Sequence, residues 1–216
     1  MTADARIKQA EVLYERAVFG GDSAALVTAD MGLDAVEADL ALARGRLIHA
    51  RFLDERVEDA RELELFERAA ELYRRIDDVR GEGEALFWVG TFHQVVRDDT
   101  QTALPAFTRA LDLATGADDQ LTMSYALRHL GFAEHMAGRL DAARAHFEES
   151  TRLRRTLGFL PGVAANLIAL AQLAVERNQR DDAATLLEEA RGLAESTDSD
   201  GVLGWVAEAR ERLDLQ

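Results

Sequence analysis

The sequence predicts an all-α protein: a solenoid of antiparallel helix hairpins, about four of them, with helical caps at its N- and C-terminal ends. Two observations carry this. Only two prolines interrupt a chain rich in Ala, Leu, Glu and Arg, which favours helix nearly everywhere. And Leu121 to Ala190 contains one helical hairpin written twice, 40 residues apart and without a gap. Ser124-Tyr125-Ala126-Leu127 aligns with Ala164-Ala165-Asn166-Leu167, and Ala143, Phe147 and Ser150 align with Ala183, Leu187 and Ala190. Self-similarity at such a period marks stacked repeats, each of which buries its apolar face on its neighbour.

In chain order, Ala3 to Phe19 reads as an amphipathic helix with Ala10, Leu13, Tyr14 and Ala17 on one face. Gly20-Gly21-Asp22-Ser23 stops it, and Ala24 to Met31 is either a short helix or an ordered loop. Asp34 caps a long helix to about Phe52, with Val36, Leu40, Ala43, Leu47 and Ile48 on its buried side. A charged turn leads to a return helix from Ala60 to Ile76 that carries Leu65, Phe66, Ala69 and Leu72. Gly81 and Gly83 punctuate the chain before the helix Glu84 to Val96, which Gln101 to Ala114 returns. Asp98-Asp99 and Asp118-Asp119 read as turn and capping acids. Gln120 to Ala137 with Leu140 to Leu157 makes the third hairpin, and Gly162 to Arg177 with Asp181 to Glu195 the fourth. Val202 to Leu213, bearing Trp205, is the last helix. A single domain over 1–216 is expected, with an N-terminal cap at 1–33, repeats at 34–196 and a C-terminal cap at 197–216.

Composition narrows the function classes. No apolar run approaches the length of a membrane span, and Met1 to Arg6 carries no secretory apolar core, so a cytoplasmic protein is expected. With no cysteine there is no disulfide, thiolate nucleophile or zinc-thiolate site. A net charge of −15 argues against nucleic acid or an anionic membrane as the main partner. The charge is unevenly distributed. Residues 121–155 hold six Lys and Arg against four Asp and Glu, the one net-positive segment, and three of the five histidines.

Return-helix triplets recur as Glu62/Phe66/Ala69, Ala103/Phe107/Ala110, Ala143/Phe147/Ser150 and Ala183/Leu187/Ala190. Small residues Gly90, Gly131 and Ala171 fall in the first helices, with Leu86, Leu127 and Leu167 four before them. On these residues the chain resembles a tetratricopeptide repeat protein over about 34–196. Its period near 40, longer than the usual ~34 residues, is similar to the sensor arrays of bacterial signal-transduction ATPases and antibiotic-pathway regulators. Glu62 departs from the small residue of the pattern, and neither a nucleotide-binding motif nor a DNA-binding domain accompanies the repeats.

The resemblance implies a right-handed superhelix whose first helices line a concave groove. It puts Glu84, Phe87, Thr91 and Gln94 of the second hairpin on that wall, with Tyr125, Arg128, Phe132 and His135 of the third. The fourth contributes Ala165, Ile168 and Gln172. Trp88, His129 and Asn166 stand one residue off this stripe. The candidate ligand-binding set is therefore Phe87, Trp88, Thr91, Tyr125, Arg128, His129, Phe132, His135, Asn166 and Gln172. Arg128 is the most informative of them, because a guanidinium between aromatic rings forks onto a carboxylate or phosphate. The competing role for Arg128 is a structural ion pair with Glu84, Glu134 or another acid, for Trp88 packing between repeats, and for Asn166 satisfying a backbone group. Arg152, Arg154 and Arg155 read as solvated or paired with Glu148 and Glu149 on the outer face.

No catalytic residue, metal site or cofactor is assigned. His129 and His135, six apart, point to nearly opposite sides of one helix. The leading expectation is a non-enzymatic binding module that takes a protein partner's acidic peptide segment or a small anionic ligand. A self-associating scaffold, paired through Trp205 or the N-terminal helix as a homodimer, is the alternative. An enzyme using Tyr125, Arg128 and His129 is the third reading.

Overall fold

The computed structural model describes residues 4–215; the expected helix start at Ala3 lies outside them. All regular structure among these residues is helical. The helices are α1 (Ala5–Gly20), α2 (Ala24–Glu55), α3 (Arg61–Arg75), α4 (Val79–Thr91), α5 (Thr100–Gly116), α6 (Gln120–Met136), α7 (Leu140–Thr156), α8 (Leu160–Glu176), α9 (Arg180–Glu195) and α10 (Asp200–Arg212). A π-helical turn, Phe92–Val96, extends α4. The chain forms two compact units, the first ending at Ala117 and the second beginning at Asp118. The pairs α2–α3 and α4–α5 build hairpins in the first unit, and α6–α7 and α8–α9 in the second.

The turns carry the repeat. Asp77, Asp98, Asp118, Gly138, Gly158, Asn178 and Asp198 all adopt left-handed backbone conformation, with φ from 50° to 74°. They follow one another at steps of 20 or 21 residues. Gly, Asn and Asp, which that region favours, take these seven places, while Arg56, 21 residues earlier at the end of α2, adopts it with φ 56°. Every 40-residue repeat is thus two helix-and-turn halves. The acids play the expected part: Asp98 and Asp118 take the turn, while Asp99 and Asp119 cap α5 and α6 by accepting from Thr102 and Thr122 backbone N–H.

Within each hairpin a small residue of the first helix faces a large one of the return helix. A Cβ on Gly45 would lie 2.5 Å from the Phe66 ring, one on Gly90 2.7 Å from Phe107, and one on Gly131 2.9 Å from Phe147. In the fourth hairpin Ala171 and Leu187, both fully buried and in one cluster, replace glycine and phenylalanine. The volume lost from the ring is recovered by the methyl group.

Three expectations change. Residues 24–55 form one continuous helix, with neither a loop nor a break near Asp34. Gly81 and Gly83 do not interrupt the chain but lie inside α4, where a Cβ on Gly81 would collide with the Tyr73 ring. The buried side of α2 is Ala38, Ala41, Leu42, Gly45, His49 and Phe52, whereas Leu40, Ala43 and Leu47 are exposed. The cause is Phe66: its ring needs close approach, so the stripe of small residues turns inward rather than the leucines.

Glu62, at the small position of the first triplet, is fully buried and lies 2.8 Å through Oε1 from His49 Nδ1. That hydrogen bond compensates the burial of one carboxylate oxygen, while Oε2 has no hydrogen-bond partner.

Candidate anion-binding cleft

The first-unit members of the candidate set serve its core. Phe87 is buried against Phe107 with ring centroids 6.1 Å apart. The Thr91 hydroxyl donates to the Phe87 carbonyl at 3.0 Å, within its own helix. Trp88, half-buried, stacks on Phe66 at 5.5 Å, meets His49 edge-on at 5.3 Å and carries the Arg46 guanidinium over its face.

The second unit brings another group together. Arg128 and Phe132 of α6, with Ala165, Ile168 and Gln172 of α8, line a cleft of about 290 Å³. Trp205, Glu208 and Arg212 of α10 close its other wall. These α10 residues stand 40 after Ala165, Ile168 and Gln172, so the wall register carried one period further announces them. Trp205 is 51% exposed there.

Beneath the cleft lies a buried polar network. Arg128 Nη1 donates to Asn166 Oδ1 at 2.7 Å and to the Ala165 carbonyl at 2.9 Å. Arg154, at 2% exposure, donates from Nη1 to the same Asn166 oxygen at 3.1 Å and to the Gly162 carbonyl at 2.8 Å, and from Nε to Ser124 Oγ at 3.3 Å. Asn166 returns its Nδ2 proton to Ser150 Oγ at 2.8 Å, and Ser150 donates to the Ser124 carbonyl at 2.6 Å. Aromatic faces enclose the cations: Phe132 lies 4.8 Å from the Arg128 guanidinium, and Tyr125 and Phe159 lie 5.0 and 5.5 Å from that of Arg154.

Neither guanidinium has a carboxylate partner among the described residues. Burial, and secondarily the charge of Arg154, push Arg128 down to about 9. Burial pushes Arg154 down to about 10, against an opposing contribution from Tyr125. Both remain cations at neutral pH, held by neutral oxygens alone, so an incoming anion would gain an unusually strong partner.

Glu84 pairs with Arg46, and Glu134 with Arg139, so neither takes the ion-pair role weighed for Arg128. His135 is engaged elsewhere, with Nε2 2.8 Å from Glu176 Oε1, and Gln172 donates to the same carboxylate at 3.4 Å. His129, half-buried, meets Phe132 edge-on at 6.3 Å. Asn166 lies under the cleft rather than in its wall. The reading of Arg154 as an outer-face residue is overturned: its stem passes inward beside Gly162, where any side chain would meet the Phe159 ring. Arg152 pairs with Glu149, and Arg155 with Glu189. The sequence did hold a signal for Arg154. One period to either side stand Ala114 and Ala194, both buried.

Antiparallel helix pairs with a small-to-large contact in each define a helical-repeat protein. The tetratricopeptide repeat model matches residues 82–156 and 122–196, together 82–196 or 115 of the 216 residues. The chain belongs to the tetratricopeptide repeat family, whose repeats generally mediate protein–protein interactions. No curated protein matches the chain. No helix among the described residues is long and apolar enough to cross a membrane.

Proposed function

We propose that the protein is a non-enzymatic binding module whose second unit captures an anionic group in the cleft at Arg128. That group is a carboxylate or phosphate, presented by an acidic segment of a partner protein or by a small anionic ligand. The observation that carries this reading is a cationic pair without a carboxylate, one member of which lines a cleft beside Trp205. Arg128 provides the charge-assisted hydrogen bonds, and Arg212 adds charge at the opposite wall. Phe132, Ile168 and Trp205 supply apolar area and lower the local dielectric. Gln172 offers a neutral donor, while Glu208 selects against ligands that place a second negative charge beside α10.

Inorganic phosphate and a hexaglutamate peptide serve as probes, followed by calorimetry and by tryptophan emission, to which Trp205 at the cleft and Trp88 both contribute. Arg128→Met is expected to weaken the binding of the preferred probe by about tenfold or more, the loss of one charge-assisted hydrogen bond. Unchanged affinity in that variant, or the failure of both probes at millimolar concentration, would overturn the reading.

A further inference from the structure

The outward face of α2 carries two stripes of strict seven-residue spacing. Leu26, Leu33, Leu40 and Leu47 form the first, and all are exposed, at 49%, 41%, 47% and 62%. Asp30, Glu37, Arg44 and Arg51 form the second, each four residues after a leucine. Residues three, four and seven apart share one side of a helix, so the stripes are adjacent. Two ion pairs bound them. Arg6 of α1 reaches Asp39 at 2.6 Å, and Arg75 of α3 reaches Asp34, positions that fall to either side of the stripes on a 100° wheel. The leucines stay substantially exposed between these helices, with Leu33 bordering a groove lined by Ile7, Ala10, Tyr14 and Phe19 of α1. An apolar strip of this regularity on a 32-residue helix is more than scattered surface hydrophobicity.

The charge stripe states what covers it. Read along the helix it is acid, acid, base, base. A parallel two-fold neighbour would place the two charge stripes on opposite edges of the leucine seam, where they cannot pair. An antiparallel one sets Glu37 beside Arg44 of the second copy and Asp30 beside its Arg51, and two-fold symmetry makes each pair twice. Both pairings share one register, since 37 and 44 sum to 81, as do 30 and 51. Nearly the same register, summing to 80, places Leu40 on its own symmetry mate and Leu33 beside Leu47. All four leucines would pair at a sum of 73, but that register brings Glu37 close to its own symmetry mate, so the charges decide for the axis near residue 40.

We infer that α2 is a self-association surface, on which a second copy of this chain packs antiparallel across a two-fold axis at Leu40. The interface is isologous and so closes at two copies. Glu37 accepts from Arg68 at 2.8 Å within one copy, an exposed pair that a second guanidinium can join. This surface lies in the first unit and does not depend on the anion reading of the second.

Sedimentation velocity and light scattering on the full chain, across a concentration series, test it. The native chain is expected to form a dimer. Leu40→Glu, at an exposed position, is expected to leave helicity, and the unfolding midpoint at concentrations where both chains are monomeric, unchanged while weakening dimerisation about 100-fold, because two copies of the change meet at the axis. Arg44→Glu is expected to weaken it about tenfold, and adding Glu37→Arg to restore it, since the swap recreates both pairs. A strict monomer at high micromolar concentration, or a dimer indifferent to Leu40→Glu, would overturn the surface. Failure of the double variant to recover would overturn the antiparallel register.

Discussion

Asn166 is where the chemistry of single residues is concentrated. Its one amide oxygen accepts from two guanidiniums, and its nitrogen is spent on Ser150. A carboxylate in its place would give both cations an internal counterion. Asn166→Asp is therefore expected to keep the fold while lowering the affinity of an anionic probe about tenfold, read by calorimetry on the folded variant. Tyr73 offers a second residue-level prediction. Its buried hydroxyl donates to Asp39 at 2.6 Å, and burial first, then that bond, raise its pKa. A raised folded pKa gives stability that is complete below the unfolded value near 10 and is lost as pH rises above it. Tyr73→Phe should cost about 1 kcal/mol at pH 7, with the gap from the native chain closing above pH 10 in denaturant titrations. Arg128 was visible in the sequence because its charge stands among aromatic residues. Arg154 was not, because an arginine grouped with Arg152 and Arg155 near acids argues for water unless its register is compared with Ala114 and Ala194.

Among the helices, the recurring contact is the small residue against its ring. Gly131 faces Phe147, and the fourth hairpin makes the same join with Ala171 and Leu187. Gly131→Ala alone is expected to destabilise by about 1–3 kcal/mol, because the added methyl overlaps the ring. Gly131→Ala with Phe147→Leu should recover most of that loss, a coupling that thermal unfolding of the two single variants and the double one measures. The triplets and glycines made these hairpins legible, since a buried contact repeated at fixed spacing leaves a periodic trace. The long helix α2 was less so. It carries two apolar stripes, and hydrophobicity alone favours the leucines over the Ala38, Ala41 and Gly45 side that packs. Close approach to Phe66 decided the matter, and that is a property of the pair rather than of either helix.

For the molecule as a whole, 20-residue spacing of the left-handed turns accounts for a period of 40, two equal halves per repeat. A net charge of −15 coexists with one positive segment, 121–155, which supplies both arginines of the buried network. That segment pointed to the cleft in the sequence. The α10 wall was legible as well, since Trp205, Glu208 and Arg212 stand one 40-residue period after Ala165, Ile168 and Gln172, although the repeats were expected to end at residue 196. The central claim is that this cleft binds an anion through Arg128, and titration of native and Arg128→Met chains with inorganic phosphate and hexaglutamate, followed through tryptophan emission, tests it most directly. A saturable change in emission that Arg128→Met weakens about tenfold or more is the predicted result. Equal affinity in the two chains would contradict it.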